Sequence, residues 1–181
     1  MDAFDPENLL IFSSGLLHST PVPGANRTTV DTFSPQTGMY SHSLFGGFFG
    51  PELKHAGYDK IIFRGKASDL VYLWIHNDKV EIRDASHLAG MGALATAAKL
   101  KEELEQPEAQ VASIGLAGEN RVFMATIEHA NSSASRGVGV VMGDKRIKAV
   151  VVRGTKDINV AKPAELFAIS SPMYKSIYEN E

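Results

Sequence analysis

GLAGENRVFMATIEHANSSASRGVGVVMGDKRIKAVVVRG, residues 115–154, is the stretch that decides how this chain reads. An alternating apolar run, Val122 to Ile127, feeds a segment of small residues with one arginine, and a short turn then leads into a second apolar run, Ala149 to Val152. The pattern predicts two strands framing a small-residue loop. Ser, Ala and Gly leave backbone N–H groups uncovered and Gly tolerates positive φ, so such a loop suits close approach of the backbone to a ligand. Arg136 adds a permanent cation whose planar fork fits phosphate. The spacing Gly137-x-Gly139-x-x-x-Gly143 is not the dinucleotide fingerprint, and no Gly-Lys-Ser/Thr follows to make a P-loop. From the residues alone, two alternatives stand: an anion site and a tight turn in a sheet protein.

Around this stretch the composition is that of one globular domain: 181 residues, 44% apolar and 22% charged. A net charge of −3 with no basic stripe argues against nucleic acid as a partner. No apolar run is long enough to cross a bilayer and the N-terminus lacks signal-peptide character, so a cytoplasmic setting with no membrane partner is the default expectation. Cysteine is absent, which rules out disulfides, zinc–thiolate sites and iron–sulfur ligation by this chain.

Upstream, Asn8 to Ser13 and Arg27 to Phe33 read as strands separated by the turn-forming Thr20-Pro-Val-Pro-Gly24. Phe48 to His55 reads as a short helix with Pro51 near its start and Gly57 as its stop. The Gly46-Gly47 pair before it can present N–H groups to an anion. Lys60 to Arg64, Leu70 to His76 and Lys79 to Arg83 are predicted strands, the last two joined by Asn77-Asp78. Ala93 to Gln106 is the clearest helix, with Leu94, Ala97, Ala98, Lys101 and Leu104 expected near one face. Gln110 to Ile114 is a further strand, Asp157 to Val160 a last short one, and Pro163 to about Ile169 a helix start, with a fraying tail from Ser170. The six histidines show no paired ligand spacing, and Glu119 and Asn120 are more simply turn residues than an acid–base pair.

Several motifs in order resemble the N-terminal domain of the tungsten-pterin aldehyde:ferredoxin oxidoreductase family: Pro6-Glu-Asn-Leu-Leu-Ile-Phe12, Asn26-Arg27, Gly46-Gly-Phe-Phe-Gly-Pro-Glu-Leu-Lys54, Glu81-Ile-Arg-Asp-Ala-Ser-His87, Gly115-Leu-Ala-Gly-Glu-Asn120, Ser132-Ser-Ala-Ser-Arg-Gly137 and Lys148-Ala-Val-Val-Val-Arg-Gly-Thr155. Within the family the wording is most similar to the active-site subunit of tungsten-dependent benzoyl-CoA reductase. The fold this implies is α+β, mixed and antiparallel sheets with a few packing helices and the first strands missing. Residues 1–169 would be a partial pterin-binding N-terminal domain and residues 170–181 a tail or the start of a truncated next domain.

The resemblance also implies a site. Asn26, Arg27, Leu44, Phe45, Gly46, Gly47, Ser132, Ser133, Ala134, Ser135, Arg136 and Gly137 would bind a bis-pyranopterin carrying tungsten or molybdenum. A magnesium ion bridging the pterin phosphates would take the backbone carbonyls of Leu44 and Ser133, and carbonyl ligation is indifferent to the side chain. A [4Fe–4S] cluster would come only with later domains, and the chain itself contributes no catalytic residue. The implied activity is a two-electron conversion of an aldehyde or an aryl acyl-CoA, with ferredoxin or electron-transfer subunits and the remaining enzyme domains as partners and a homodimer as a possible assembly. Two departures stand out: Arg136-Gly137 lacks the second glycine usual in the family, leaving the loop one residue short, and Ser132 stands where an arginine is common. They point to the alternative, a truncated, catalytically silent interaction module without cofactor.

Overall fold

In the computed structural model, residues 2–179 are described, and their strands form two sheets with helices packed between and outside them. The first sheet has the order β3-β2-β1-β4, with β1 Leu10–Ser13, β2 Thr28–Phe33, β3 Tyr40–Phe45 and β4 Lys60–Phe63. The second has the order β6-β5-β10-β7-β8-β9, built from β5 Val71–His76, β6 Lys79–Asp84, β7 Gln110–Ser113, β8 Ile127–His129, β9 Ser132–Ala134 and β10 Ile147–Arg153. Every strand pair among the described residues is antiparallel except β5 with β10.

Period-2 alternation explains the layering. In β10, Val150 and Val152 face the core shared with the first sheet, while Ala149 and Val151 face the opposite side. Helices α1, Phe49–Ala56, and α4, Val138–Asp144, fill the space between the sheets, bringing Phe49, Leu53, Val138, Val141 and Met142 against Phe12, Val30 and Phe45. The four phenylalanines Phe12, Phe45, Phe49 and Phe63 meet at centroid separations of 5.5–6.4 Å, within the range for edge-on and tilted aromatic packing. Helix α2, Ala93–Glu103, covers the far face through Ala93, Thr96 and Leu100. Of the expected face, Ala97 and Leu104 pack against this core, whereas Leu94 is 65% exposed, because the i, i+3, i+7 row of Ala93, Thr96 and Leu100 meets the sheet.

Three expectations need correction. Val122 to Met124 form no strand: they lie in an exposed turn after α3, Leu116–Glu119, and the strand begins only at Ile127. The small-residue segment is not one loop, since Ser132–Ala134 pair with β8 and Val138–Asp144 are helical. Asp157 to Val160 adopt no regular element, and α5 runs over Pro163–Glu179, with Pro172 inside it, instead of ending near Ile169.

Candidate functional site

Strand β3 is an edge of the first sheet and β9 an edge of the second, and the two edges meet. The seam is closed by small residues. Gly46 N donates to Ser132 Oγ at 2.8 Å, and Ser135 N donates to Ser43 Oγ at 2.9 Å. The carbonyl of Arg136 accepts from Ser34 Oγ at 2.7 Å and Ser41 Oγ at 3.4 Å, and its guanidinium Nη1 donates to the carbonyl of His42 at 3.5 Å. Strand β3 alternates strictly, with Ser41, Ser43 and Phe45 turned inward and Tyr40, His42 and Leu44 outward. The inward hydroxyls are therefore what stitch the seam.

Backbone geometry at two points demands glycine. Gly47 has φ +92°, and a Cβ there would lie 2.8 Å from the His129 ring. Gly137 has φ +77°, and a Cβ there would lie 2.6 Å from Ser34 Oγ. Arg136 itself sits at φ +62°, an uncommon conformation for a non-glycine residue, held by the two serine bonds to its carbonyl.

Of the residues expected at the site, Gly46, Ser132, Ser135, Arg136 and Gly137 converge on the seam, with Leu44 and Ser133 exposed beside it. Phe45 and Ala134 are buried and contribute to the core beneath. Arg27 precedes β2 and is exposed; continuing the Thr28↔Phe45 register by one step sets it opposite Gly46. Asn26 lies off the seam, lining an open cleft of about 490 Å³ with Phe48, Glu52 and His55.

The donor set suits a phosphate-bearing ligand. Exposed Arg27 lies in register with the Gly46–Gly47 turn and exposed Arg136 lies further along the same strand edge, at His42; α1 follows the turn with Phe48 as its N-cap and no side-chain cap, leaving its first N–H groups for another acceptor. Among the described residues no three His, Asp or Glu side chains converge as a metal cage, and no helix is long and apolar enough to cross a membrane.

Three residues here, His129, Asp31 and His42, were not singled out from the sequence. His129 is buried at 3% exposure beneath Gly47, packed against Phe45 and Phe49. Its Nδ1 donates to the Val111 carbonyl at 2.9 Å, its Nε2 has no partner among the described residues, and burial holds its pKa below the usual histidine value. Asp31 and His42 form a second cluster on the outer face, with Tyr40. The Asp31 side chain accepts from His42 Nδ1 at 2.7 Å, Tyr40 OH at 2.6 Å and Thr29 Oγ1 at 3.1 Å. Alternation in Tyr40-Ser-His-Ser-Leu-Phe45 is the signal that could have found β3 and hence this cluster.

Comparison with known proteins agrees with this architecture. Residues 1–154 match the family described as aldehyde ferredoxin oxidoreductase, N-terminal domain. The tungsten-containing aldehyde ferredoxin oxidoreductase of Pyrococcus abyssi is 48% identical over 171 residues, covering 93% of this chain and 28% of that protein. The WOR-like subunit of an aliphatic sulfonate oxidoreductase from Pyrococcus furiosus is 38% identical over 169 residues, covering 86% of this chain. The solved active-site complex BamBC of benzoyl coenzyme A reductase, in complex with 1,5-dienoyl-CoA, superposes with a TM-score of 0.97 at 62% identity, covering 98% of this chain and 27% of the solved one. The chain thus spans little more than a quarter of the length of these relatives. It belongs to the aldehyde ferredoxin oxidoreductase family, with residues 1–154 forming the family's N-terminal domain.

Proposed function

We propose that this chain supplies the base of a bis-pyranopterin tungsten site in an oxidoreductase that reduces an aryl acyl-CoA. The observation that carries this is the seam itself. Two sheet edges meet through Gly46 N and Ser132 Oγ, with Arg136 further along the same seam at His42 and Arg27 opposite Gly46 in register, in a domain of a tungsten-enzyme family. When bound, the metal–pterin group supplies the two-electron chemistry. Arg27 and Arg136 would pair with its phosphates, Gly47 and the start of α1 would donate N–H groups, and the carbonyls of Leu44 and Ser133 would hold a magnesium ion. Ser132, in place of an arginine, keeps a seam hydrogen bond where a charge would otherwise sit. An aryl acyl-CoA is favoured over an aldehyde because identity to the benzoyl-CoA reductase complex, 62%, exceeds that to the aldehyde enzyme, 48%. An iron–sulfur cluster supplying electrons would have to be held by other domains, since this chain has no cysteine.

The test is elemental analysis and oxidised-pterin fluorescence on the chain purified from a host that makes tungstopterin. Near-stoichiometric tungsten and pterin, lost on Arg27→Ala or Arg136→Ala, is the expected result. A folded, metal-free and pterin-free protein would overturn the assignment.

A further inference from the structure

We infer that His42 is an additional ligand-binding residue of the seam, its Nε2 accepting a hydrogen bond from an N–H group on the edge of a flat nitrogen heterocycle, with Asp31 as the residue that positions it. The inference rests on the proposed function in taking that heterocycle to be the pterin ring.

The tautomer follows from the partners. A carboxylate only accepts, so the 2.7 Å contact between Asp31 Oδ1 and His42 Nδ1 places the proton on Nδ1. In the neutral ring, Nε2 then carries a lone pair, and the half-exposed side chain presents it to solvent. Asp31 is only 8% exposed and its carboxylate takes three donors, from His42, Tyr40 and Thr29. A nearly buried carboxylate is costly to place unless fully hydrogen-bonded, and here the bonds converge on orienting one imidazole. The same arrangement, a carboxylate fixing one ring nitrogen so that the other serves a ligand, recurs wherever histidine must present a defined lone pair.

Position ties this imidazole to the seam. His42 pairs directly with Asp31 across β3 and β2, and side chains two apart share a face. His42 therefore shares its face with Leu44, about 7 Å along the strand. Continued beyond the strand ends, the same parity includes Gly46 and Arg27. The Arg136 guanidinium reaches the carbonyl of His42, so the segment that closes the seam also touches this residue. Asp31 bonds the His42 ring, Thr29 and Tyr40 bond that same carboxylate, and Arg136 bonds the His42 backbone carbonyl. Tyr40, 69% exposed on the same face, adds an aromatic wall of the kind against which a flat ring stacks.

The experiment has two arms, both on the full chain. In the first, protein from the tungstopterin-making host is assayed for pterin content and for the rate of pterin release. His42→Phe is expected to release pterin roughly five- to tenfold faster and His42→Gln, whose amide oxygen also accepts, to behave close to the unsubstituted chain. Equal release by all three overturns the role of His42 while leaving the proposed function standing. In the second arm, used if no cofactor loads and the proposed function therefore fails, neopterin binding is followed by its fluorescence. The same ranking supports the His42 site, and no binding or equal binding overturns it. Asp31→Asn separates positioning from stability: the expected result is weakened pterin binding together with a changed imidazole ¹⁵N tautomer pattern. A lowered Tm with both unchanged would reduce Asp31 to a structural residue.

Discussion

Lys148, wholly buried within β10, donates to the Glu119 carboxylate of α3 and, at 2.7 Å, to the carbonyl of Met91. Glu119 Oε2 in turn accepts from Gly90 N at 2.9 Å, so one ion pair joins the central strand, α3 and the turn before α2. Removing one partner strands a buried ammonium. Glu119→Ala is expected to cost about 3–5 kcal/mol in urea unfolding, whereas the joint change Glu119→Gln with Lys148→Met recovers most of that loss. If the double variant is no more stable than Glu119→Ala alone, the cost lies elsewhere.

Glycine spacing in α4 serves a helix crossing. A Cβ on Gly143 would lie 1.9 Å from the carbonyl oxygen of Gly118 in α3, and one on Gly139 would lie 2.5 Å from the carbonyl of Thr126. Backbone cannot retreat as a flexible side chain can. Gly143→Ala should destabilise by about 3 kcal/mol. Gly92, which precedes α2 in extended conformation with open space around it, is the contrasting site: Gly92→Ser should stabilise by a few tenths of a kcal/mol through capping. Thermal melts of the two variants check both signs.

Burial lowers the pKa of both His18 and His129, in each case mainly by desolvation. The unfolded chain therefore binds more protons than the folded one once pH falls into the ordinary histidine range near 6.5. Stability should be full above that range and decline as pH falls through it toward the depressed folded values. His129→Gln should flatten the decline between pH 7 and 5 while lowering stability at pH 7. Urea unfolding at several pH values measures the slope, and an unchanged slope would remove His129 as its source.

Helix α5 buries only Ser170, whose hydroxyl bonds to the Leu166 and Phe167 carbonyls of its own helix. Pro172 also removes one amide donor from its middle. Deleting residues 161–181 should shift Tm by no more than about 2 °C, and amides in 163–179 should exchange far faster than those of β10. A large drop in Tm would show that the helix docks on the body.

The strands with apolar alternation, β1, β2, β5 and β10, and the helices stopped by Gly57 and before Pro107 were legible because local pattern and burial agree there. Strand β3 was not, since two of its three inward positions are serines whose hydroxyls bond the facing segment instead of packing as hydrocarbon. Helix α4 was hidden by Gly139 and Gly143, which disfavour helix locally but permit contact with residues 118 and 125–126. Val122, Phe123 and Met124 are three consecutive apolar residues yet stand exposed, so apolar character there did not report burial. At the site, Arg136 and the glycines were recognisable from the sequence, but the Asp31–His42 pair spans two strands and required the register.

Strand β10 lies in the middle of its sheet although it is the last to be synthesised, between β5, some 70 residues earlier, and β7. Until Ile147–Arg153 leaves the ribosome, β5 and β7 have no common neighbour and each exposes an unpaired edge beside apolar side chains. A nascent chain stalled before residue 147 is therefore a natural client for chaperones, and release past Arg153 is the moment at which the second sheet can close.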